Sequence, residues 1–156
     1  MDESARAAAV AQLVHDSGAR EGSIEIFRER QTRGWATLLA NWTEERTGQN
    51  RRGAVDIVLE EGRWRARGGW NASPDQDTAG PIWRVWGSSR GSMSGWVSDP
   101  ACAVIRLRNP DGHIESDVVE GGAAILIYDG GIHRDAVVES LDNGGNVLRS
   151  ETLAHA

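Results

Sequence analysis

Residues 101–152 decide the fold, and they read ACAVIRLRNPDGHIESDVVEGGAAILIYDGGIHRDAVVESLDNGGNVLRSET. Apolar residues alternate with polar ones in much of this stretch, as where Ile105 and Leu107 alternate with Arg106 and Arg108. A side-chain period of two turns one face of a strand toward a core and the other toward water. Asp-Gly, Asn-Gly and Gly-Gly pairs separate the apolar runs and supply the positive φ angles that tight turns require. The stretch therefore predicts short β-strands joined by hairpin turns.

The same alternation assigns faces within each strand. Ile114 and Val118 alternate with His113, Glu115 and Asp117, so we expect the two apolar side chains to face the core. Residues 123–128 form a continuous apolar run, and residues 136–141 and 147–148 follow after further glycine-rich turns.

The amino-terminal half begins with a predicted helix. Residues 3–16 are rich in alanine, the best helix former, with Asp2 or Ser4 as the cap and Gly18 as the end. A four-stranded meander is predicted next, with Glu61-Gly62 as a two-residue turn and Asp56 pointing outward. Its strands are expected at residues 23–30, 35–43, 54–60 and 63–67, separated in part by a polar loop at 44–53.

Two polar segments flank a further strand. Residues 71–80 are predicted to form a linker or long loop, and the resemblance of 75–80 to a calcium loop is weak because no glutamate follows at the required spacing. Residues 81–87 predict a strand, and residues 88–95 predict a flexible loop of small residues. Turns every 8 to 12 residues predict a mainly β fold, an antiparallel β-sandwich or open barrel with one short N-terminal helix. We expect a single domain over 1–156, with sub-halves at 1–70 and 81–152.

Composition excludes several chemistries. All 17 basic residues are arginine, so lysine-based Schiff-base chemistry and a phosphate-loop lysine are excluded. Cys102 is the only cysteine, which excludes an intrachain disulfide and a cysteine-based zinc site and predicts a small buried residue. The net charge of −6 argues against broad attraction to nucleic acid or to an anionic membrane.

The first residues, Met-Asp-Glu-Ser, are acidic and lack the apolar core of a signal peptide. No apolar run is long enough to span a bilayer. The expected location is therefore the cytoplasm.

From residue 95 onward the chain resembles an immunoglobulin-like β-module found in proteins of GC-rich bacteria. The resemblance rests on Val104-Ile105-Arg106-Leu107 before Asp111-Gly112, on Gly121-Gly122 before an apolar strand, and on the final hairpin pattern at 137–148. It covers about a third of the chain and contains no catalytic signature. Such modules bind a partner or position a neighbouring domain, and the resemblance implies a role of that kind. The Cys-Trp-Cys framework of antibody domains is missing.

Seven tryptophans are the most unusual feature of the composition. Trp83 and Trp86 have an odd spacing, which predicts that they lie on opposite faces of their strand. Because Trp and Arg are enriched at binding hot spots, the region predicts an exposed surface for a protein partner. The candidate contact residues are Trp83, Arg84, Trp86, Arg90 and Trp96, and ordinary packing of both sheet faces is the alternative explanation.

Other functions are weaker predictions. Arg63, Arg65 and Arg67 could form a positive stripe for single-stranded nucleic acid, but acidic neighbours across the sheet would neutralise it. The four histidines lack metal-ligand spacing, no Gly-x-Ser-x-Gly elbow exists, and no cofactor motif is present. The sequence thus predicts a non-catalytic interaction module that uses a sheet edge or the Trp/Arg surface. The alternative is a small-ligand-binding protein or an enzyme with a tryptophan-lined pocket.

Overall fold

The computed structural model describes residues 1–73, 80–128 and 132–153. Within these ranges the chain is mainly β, with one short helix and three antiparallel sheets. The elements are α1 (Glu3–Asp16), β1 (Glu25–Gln31), β2 (Trp35–Thr43), β3 (Asn50–Glu60), β4 (Arg63–Ala72), β5 (Trp83–Ser88), β6 (Ser92–Val97), β7 (Val104–Arg108), β8 (Ile114–Val118), β9 (Ala123–Ile127), β10 (Val137–Leu141) and β11 (Val147–Thr152).

The helix α1 covers the outer face of the first sheet. Asp2 caps it by accepting a hydrogen bond from the Ala5 backbone N–H at 2.8 Å, and the chain leaves it through Gly18 at φ 65°. Ala5, Ala9 and Leu13 are its buried residues, spaced four apart on one side. Both the predicted range and one of the two predicted caps are confirmed.

The first sheet has the strand order β1-β2-β3-β4. Glu61 and Gly62 form the predicted two-residue turn between β3 and β4, with φ of 52° and 74°. Strand β3 begins four residues earlier than predicted, because Asn50 pairs with Thr43 at the end of β2. Its first residues are polar and charged, so hydrophobic periodicity does not reveal them. Strand β4 extends further than predicted, because it includes residues 71 and 72 of the predicted linker. Residues 74–79 of that linker lie outside the described residues.

The middle sheet has the order β5-β6-β9. The prediction of a flexible loop at residues 88–95 is wrong, since residues 92–96 are buried in β6. β6 contains small side chains because it pairs with β5 and β9 and because another sheet packs against each face of the middle sheet. A Cβ on Gly95 would overlap the carbonyl oxygen of Val85 and lie 2.7 Å from Cβ of Trp86. The serine and glycine content therefore reflects close packing.

The third sheet has the order β11-β10-β7-β8. In β8 the expected orientation is wrong, because Ile114 and Val118 are 53% and 56% exposed while Asp117 is buried. The register explains this, since Ile105 lies opposite Asp117 and both must share the inner face. Asp117 is stable in the interior because Arg28 of the first sheet forms an ion pair with it.

The three sheets are stacked, and the middle sheet is covered on both faces. Its residues Trp96, Ile125 and Ile127 pack against the first sheet in what we call the first interlayer. Its residues on the opposite face pack against the third sheet in the second interlayer, with Ile105, Leu107 and Val138. Because the sheets are open and packed face to face, the fold is a layered β-sandwich with α1 on its outside.

No helix in the described ranges is both long enough and apolar enough to cross a membrane.

Candidate functional site

Two of the five predicted contact residues are core residues. Trp83 is 4% exposed and packs in the second interlayer, whereas Trp96 is 7% exposed and packs in the first. Trp96 makes edge-to-face contacts with Phe27 and Trp70, at ring-centroid distances of 5.6 and 6.4 Å. The structure thus places these two rings on opposite faces of the middle sheet and does not join them in one exposed patch.

Trp83 and Trp86 lie on the same side of the middle sheet, so the prediction from their odd spacing is wrong. Both rings pack in the second interlayer. The reason is a shift in register between β5 and β6, where Trp83 pairs with Val97 but Val85 pairs with Trp96. This β-bulge places one extra residue, Arg84, in β5 and resets the alternation after it.

Trp86 lines an open cleft at the end of the β5–β6 hairpin. The cleft has a volume of about 410 Å³. Met93 forms part of its apolar wall, and Arg90 is exposed at it. Its lining residues are Trp86, Ser88, Ser89, Arg90, Met93, Ile132 and Leu153. Of the predicted contact residues, Trp86 and Arg90 are brought together here, while Ile132 and Leu153 were missed because they lie far away in sequence.

The arginines of this region differ in their surroundings. Arg84 is exposed at the bulge and engages other groups of the protein. Arg90 is exposed in the turn between β5 and β6, and within the described ranges it has no salt bridge to a carboxylate. Among the described residues that line the cleft, Arg90 is the charged one.

Strand β5 is an edge strand, and no described strand pairs with its other side. The carbonyl oxygen of Ser92 accepts the backbone N–H of Ser89 at 2.9 Å, which fixes the alternation of hydrogen-bonding directions along the hairpin. By that alternation Trp86 and Ser88 direct their N–H and C=O groups away from β6. These backbone groups lie beside the cleft.

At the opposite edge of the middle sheet, β9, side chains bond the outward backbone groups of Ile125. The backbone N–H of Ile125 donates to Asp117 Oδ2 at 2.8 Å, and Arg30 Nη1 donates to the Ile125 carbonyl at 2.8 Å. Arg28 Nη2 lies 2.7 Å from Asp117 Oδ1, so the capping carboxylate is itself paired with a cation. The outward backbone groups of Ile125 are therefore satisfied within the protein.

A buried polar network connects the β5–β6 hairpin to the first sheet. Asp56 is 1% exposed, and its Oδ1 accepts hydrogen bonds from Thr37 Oγ1 at 2.6 Å and Ser92 Oγ at 2.7 Å. The prediction that Asp56 points outward is wrong, because this face of β3 is covered by the middle sheet. The network joins the first sheet to the strand that forms the cleft wall.

Tyr128 fixes the other side of the same turn. Its single O–H donates a bifurcated hydrogen bond to the carbonyl oxygens of Ser92 at 2.8 Å and Ser89 at 3.2 Å. Burial and then the charge of Asp56 raise the pKa of Tyr128 well above its usual value, so the phenol stays a hydrogen-bond donor. The turn that carries Arg90 is thus held by Asp56 of the first sheet and by Tyr128 at the end of β9.

The remaining candidates have simpler roles. Cys102 is buried, as predicted, and burial raises the pKa of its thiol. Arg67 Nη2 lies 3.1 Å from Glu60 Oε1, and Arg65 Nε lies 3.9 Å from Glu60 Oε2, so the predicted arginine stripe has a carboxylate beside it. Among the described residues, no group of three or more His, Cys, Asp or Glu is placed to hold a metal ion.

The described residues offer three kinds of contact at one place: backbone groups of β5 that point away from β6, an apolar cleft wall and one cation. No protein-family model matches the chain, and no curated protein shows a significant match to its sequence.

Proposed function

We propose that the protein is a non-catalytic interaction module that holds an extended segment of a partner protein along β5. The observation that carries this proposal is the difference between the two edges of the middle sheet. At β9 the outward groups of Ile125 are bonded to Asp117 and Arg30, whereas at β5 the backbone groups of Trp86 and Ser88 point away from β6 and no described strand pairs with them. An added strand would complete the sheet on its open side.

The energetics favour this mode of binding. Each new backbone hydrogen bond contributes about 1 kcal/mol, and burial of apolar surface adds about 25 cal/mol per Å². Trp86, Ile132 and Leu153 provide that apolar surface, whereas Met93 is already buried in the free protein. The hairpin is held in place by Asp56 and Tyr128, so little conformational freedom would be lost on binding.

We also propose that the carboxyl-terminal part of the chain has an immunoglobulin-like fold. It is supported by the packing of β6 and β9 in one antiparallel sheet against β7, β8, β10 and β11 in another. A cytoplasmic partner is consistent with a single buried thiol, which needs no oxidising compartment.

A small ligand is the second candidate, and the size of the cleft favours it. Its volume of about 410 Å³ falls in the range of ligand pockets, and an indole with three aliphatic or thioether side chains lines it. A small molecule would use the cleft without using the backbone of β5, which distinguishes the two candidates.

Proline at position 88 tests the proposal. Ser88→Pro removes an outward N–H and leaves the hydrogen bonds to β6 in place, as proline does on edge strands. Ser150→Pro is the matched control, since Leu153 N bonds to Ala136 O and the alternation turns the Ser150 N–H away from β10. Proteins retained by the immobilised wild-type chain from a cell lysate should be lost with Ser88→Pro and kept with Ser150→Pro. Equal retention by both variants, or no specific retention by the wild type, would contradict edge binding.

A further inference from the structure

The lining of the cleft indicates what the bound segment must contain. Among the described residues, four apolar side chains, two serines and the cation Arg90 line it, and none of these lining residues is a carboxylate. Resting on the proposed function, we propose that the partner segment is an extended peptide with an apolar side chain and an Asp or Glu side chain two residues away from it. The apolar group would enter the cleft beside Trp86, and the carboxylate would meet Arg90.

The spacing follows from the register of β5. Trp86 and Ser88 both face the cleft, because Trp86 pairs with Gly95 and Ser88 with Met93 on the same side of the sheet. Arg90 lies two residues further along the chain. Side chains on one face of an added strand are also two residues apart, at about 6.8 Å. A residue opposite Trp86 therefore has its same-face neighbour opposite Ser88, within reach of a long arginine side chain from position 90.

The positive charge at the cleft acts only at short range. The whole chain carries a net charge of −6, so its long-range field repels acidic partners. An acidic residue is accommodated only where a cation without an acidic partner lies close, and in the described ranges Arg90 meets this condition at the cleft. Because the pair would be partly exposed, reversing the charge of Arg90 should change affinity by roughly fivefold to tenfold.

A displayed library of random nine-residue peptides tests this inference on the full chain. Selection on the wild type should enrich peptides with an apolar residue and an Asp or Glu at two residues' distance. These peptides should bind Ser150→Pro as well as they bind the wild type and should be lost on Ser88→Pro. Selection on Arg90→Glu should replace the acidic residue with Lys or Arg.

The results of this selection distinguish a failure of the predicted acidic preference from a failure of edge binding itself. Peptides that depend on Ser88 but show no acidic preference, or an unchanged preference on Arg90→Glu, would overturn the inference and leave edge binding intact. If no enriched peptide is sensitive to Ser88→Pro, edge binding itself is wrong. Peptides that bind Ser88→Pro but carry the acidic pattern would also contradict strand addition.

Discussion

Asp117 on β8 caps the backbone of Ile125 on β9, with 2.8 Å between Oδ2 and the amide nitrogen. Its other oxygen lies 2.7 Å from Arg28 Nη2, so a single buried carboxylate joins all three sheets. This contact distinguishes the closed edge of the middle sheet from the open one. It also explains why a strand with an outward-facing Ile114 and Val118 is stable in this position.

Removing the charge of Asp117 should therefore be costly. Asp117→Asn leaves the Arg28 guanidinium, whose side chain is 15% exposed, without its nearest carboxylate, and we expect a loss of about 3 kcal/mol in the free energy of unfolding. Urea denaturation measures this loss. Glu120→Gln is the control, because Glu120 is largely exposed and lies 3.6 Å from Arg28, and it should change stability by less than about 1 kcal/mol. Equal effects of the two substitutions would contradict the role of Asp117.

The network at Asp56 predicts a difference between two substitutions at one position. Asp56→Ala leaves the hydroxyls of Thr37 and Ser92 without an acceptor in the interior, at a cost of about 3 kcal/mol. Asp56→Asn keeps an oxygen that can accept both bonds, so we expect it to be the less damaging change. Denaturation curves of both variants give the comparison. Identical losses would mean that the hydrogen bonds to Oδ1 contribute nothing.

Glycine is required where β5 and β6 approach each other. Gly95→Ala would force a Cβ against the Val85 carbonyl and against Trp86, with an expected loss of about 3 kcal/mol. Gly34→Ala is matched to it, since no atom lies within 4 Å of a Cβ at that position, and it should be nearly neutral. Thermal unfolding of the pair measures the difference. A melting temperature for Gly95→Ala close to that of the wild type would show that the hairpin can spread without cost.

Glu139 predicts a pH dependence. Burial alone would raise its pKa, but hydrogen bonds from Arg108 and Arg106 and their charges outweigh burial and hold the pKa below the usual 4.5. A lowered pKa in the folded state stabilises the protein above pH 4.5, and this stabilisation is lost as the pH falls below that value. Unfolding free energies measured below pH 5 should therefore decline less steeply for Glu139→Gln than for the wild type. Glu21→Gln serves as the control, and parallel curves for all three proteins would exclude the effect.

The sequence could predict elements in which one periodicity dominates. Alanine content and the cap at Asp2 define α1, and the turn at Glu61-Gly62 is specified by residues that accept positive φ. The general class, a mainly β fold of sandwich or open-barrel type with one helix, follows from turns recurring at short intervals. These features depend on the conformational preferences of neighbouring residues, so a short segment of the sequence is enough to predict each of them.

What could not be predicted depends on the stacking of three sheets. A sheet covered on both faces has no water-facing side, so Asp56 is buried where alternation predicts an exposed residue. β6 is built from small residues because its neighbours approach closely, and the same residues resemble a loop. The bulge at Arg84 changes the faces of Trp83 and Trp86, and no local signal marks a bulge. The cleft needs Ile132 and Leu153, which only the fold brings to Trp86.

The exchange of backbone amides tests the central claim that one edge of the middle sheet is closed and the other is open. We predict that the amide hydrogens of Trp86 and Ser88 exchange with solvent deuterium much faster than that of Ile125 in the free protein, because Asp117 holds the last of these. Residue-resolved NMR measures all three rates in one sample. Protection of Trp86 and Ser88 equal to that of Ile125 would contradict the claim, since the proposed binding edge would then already be occupied.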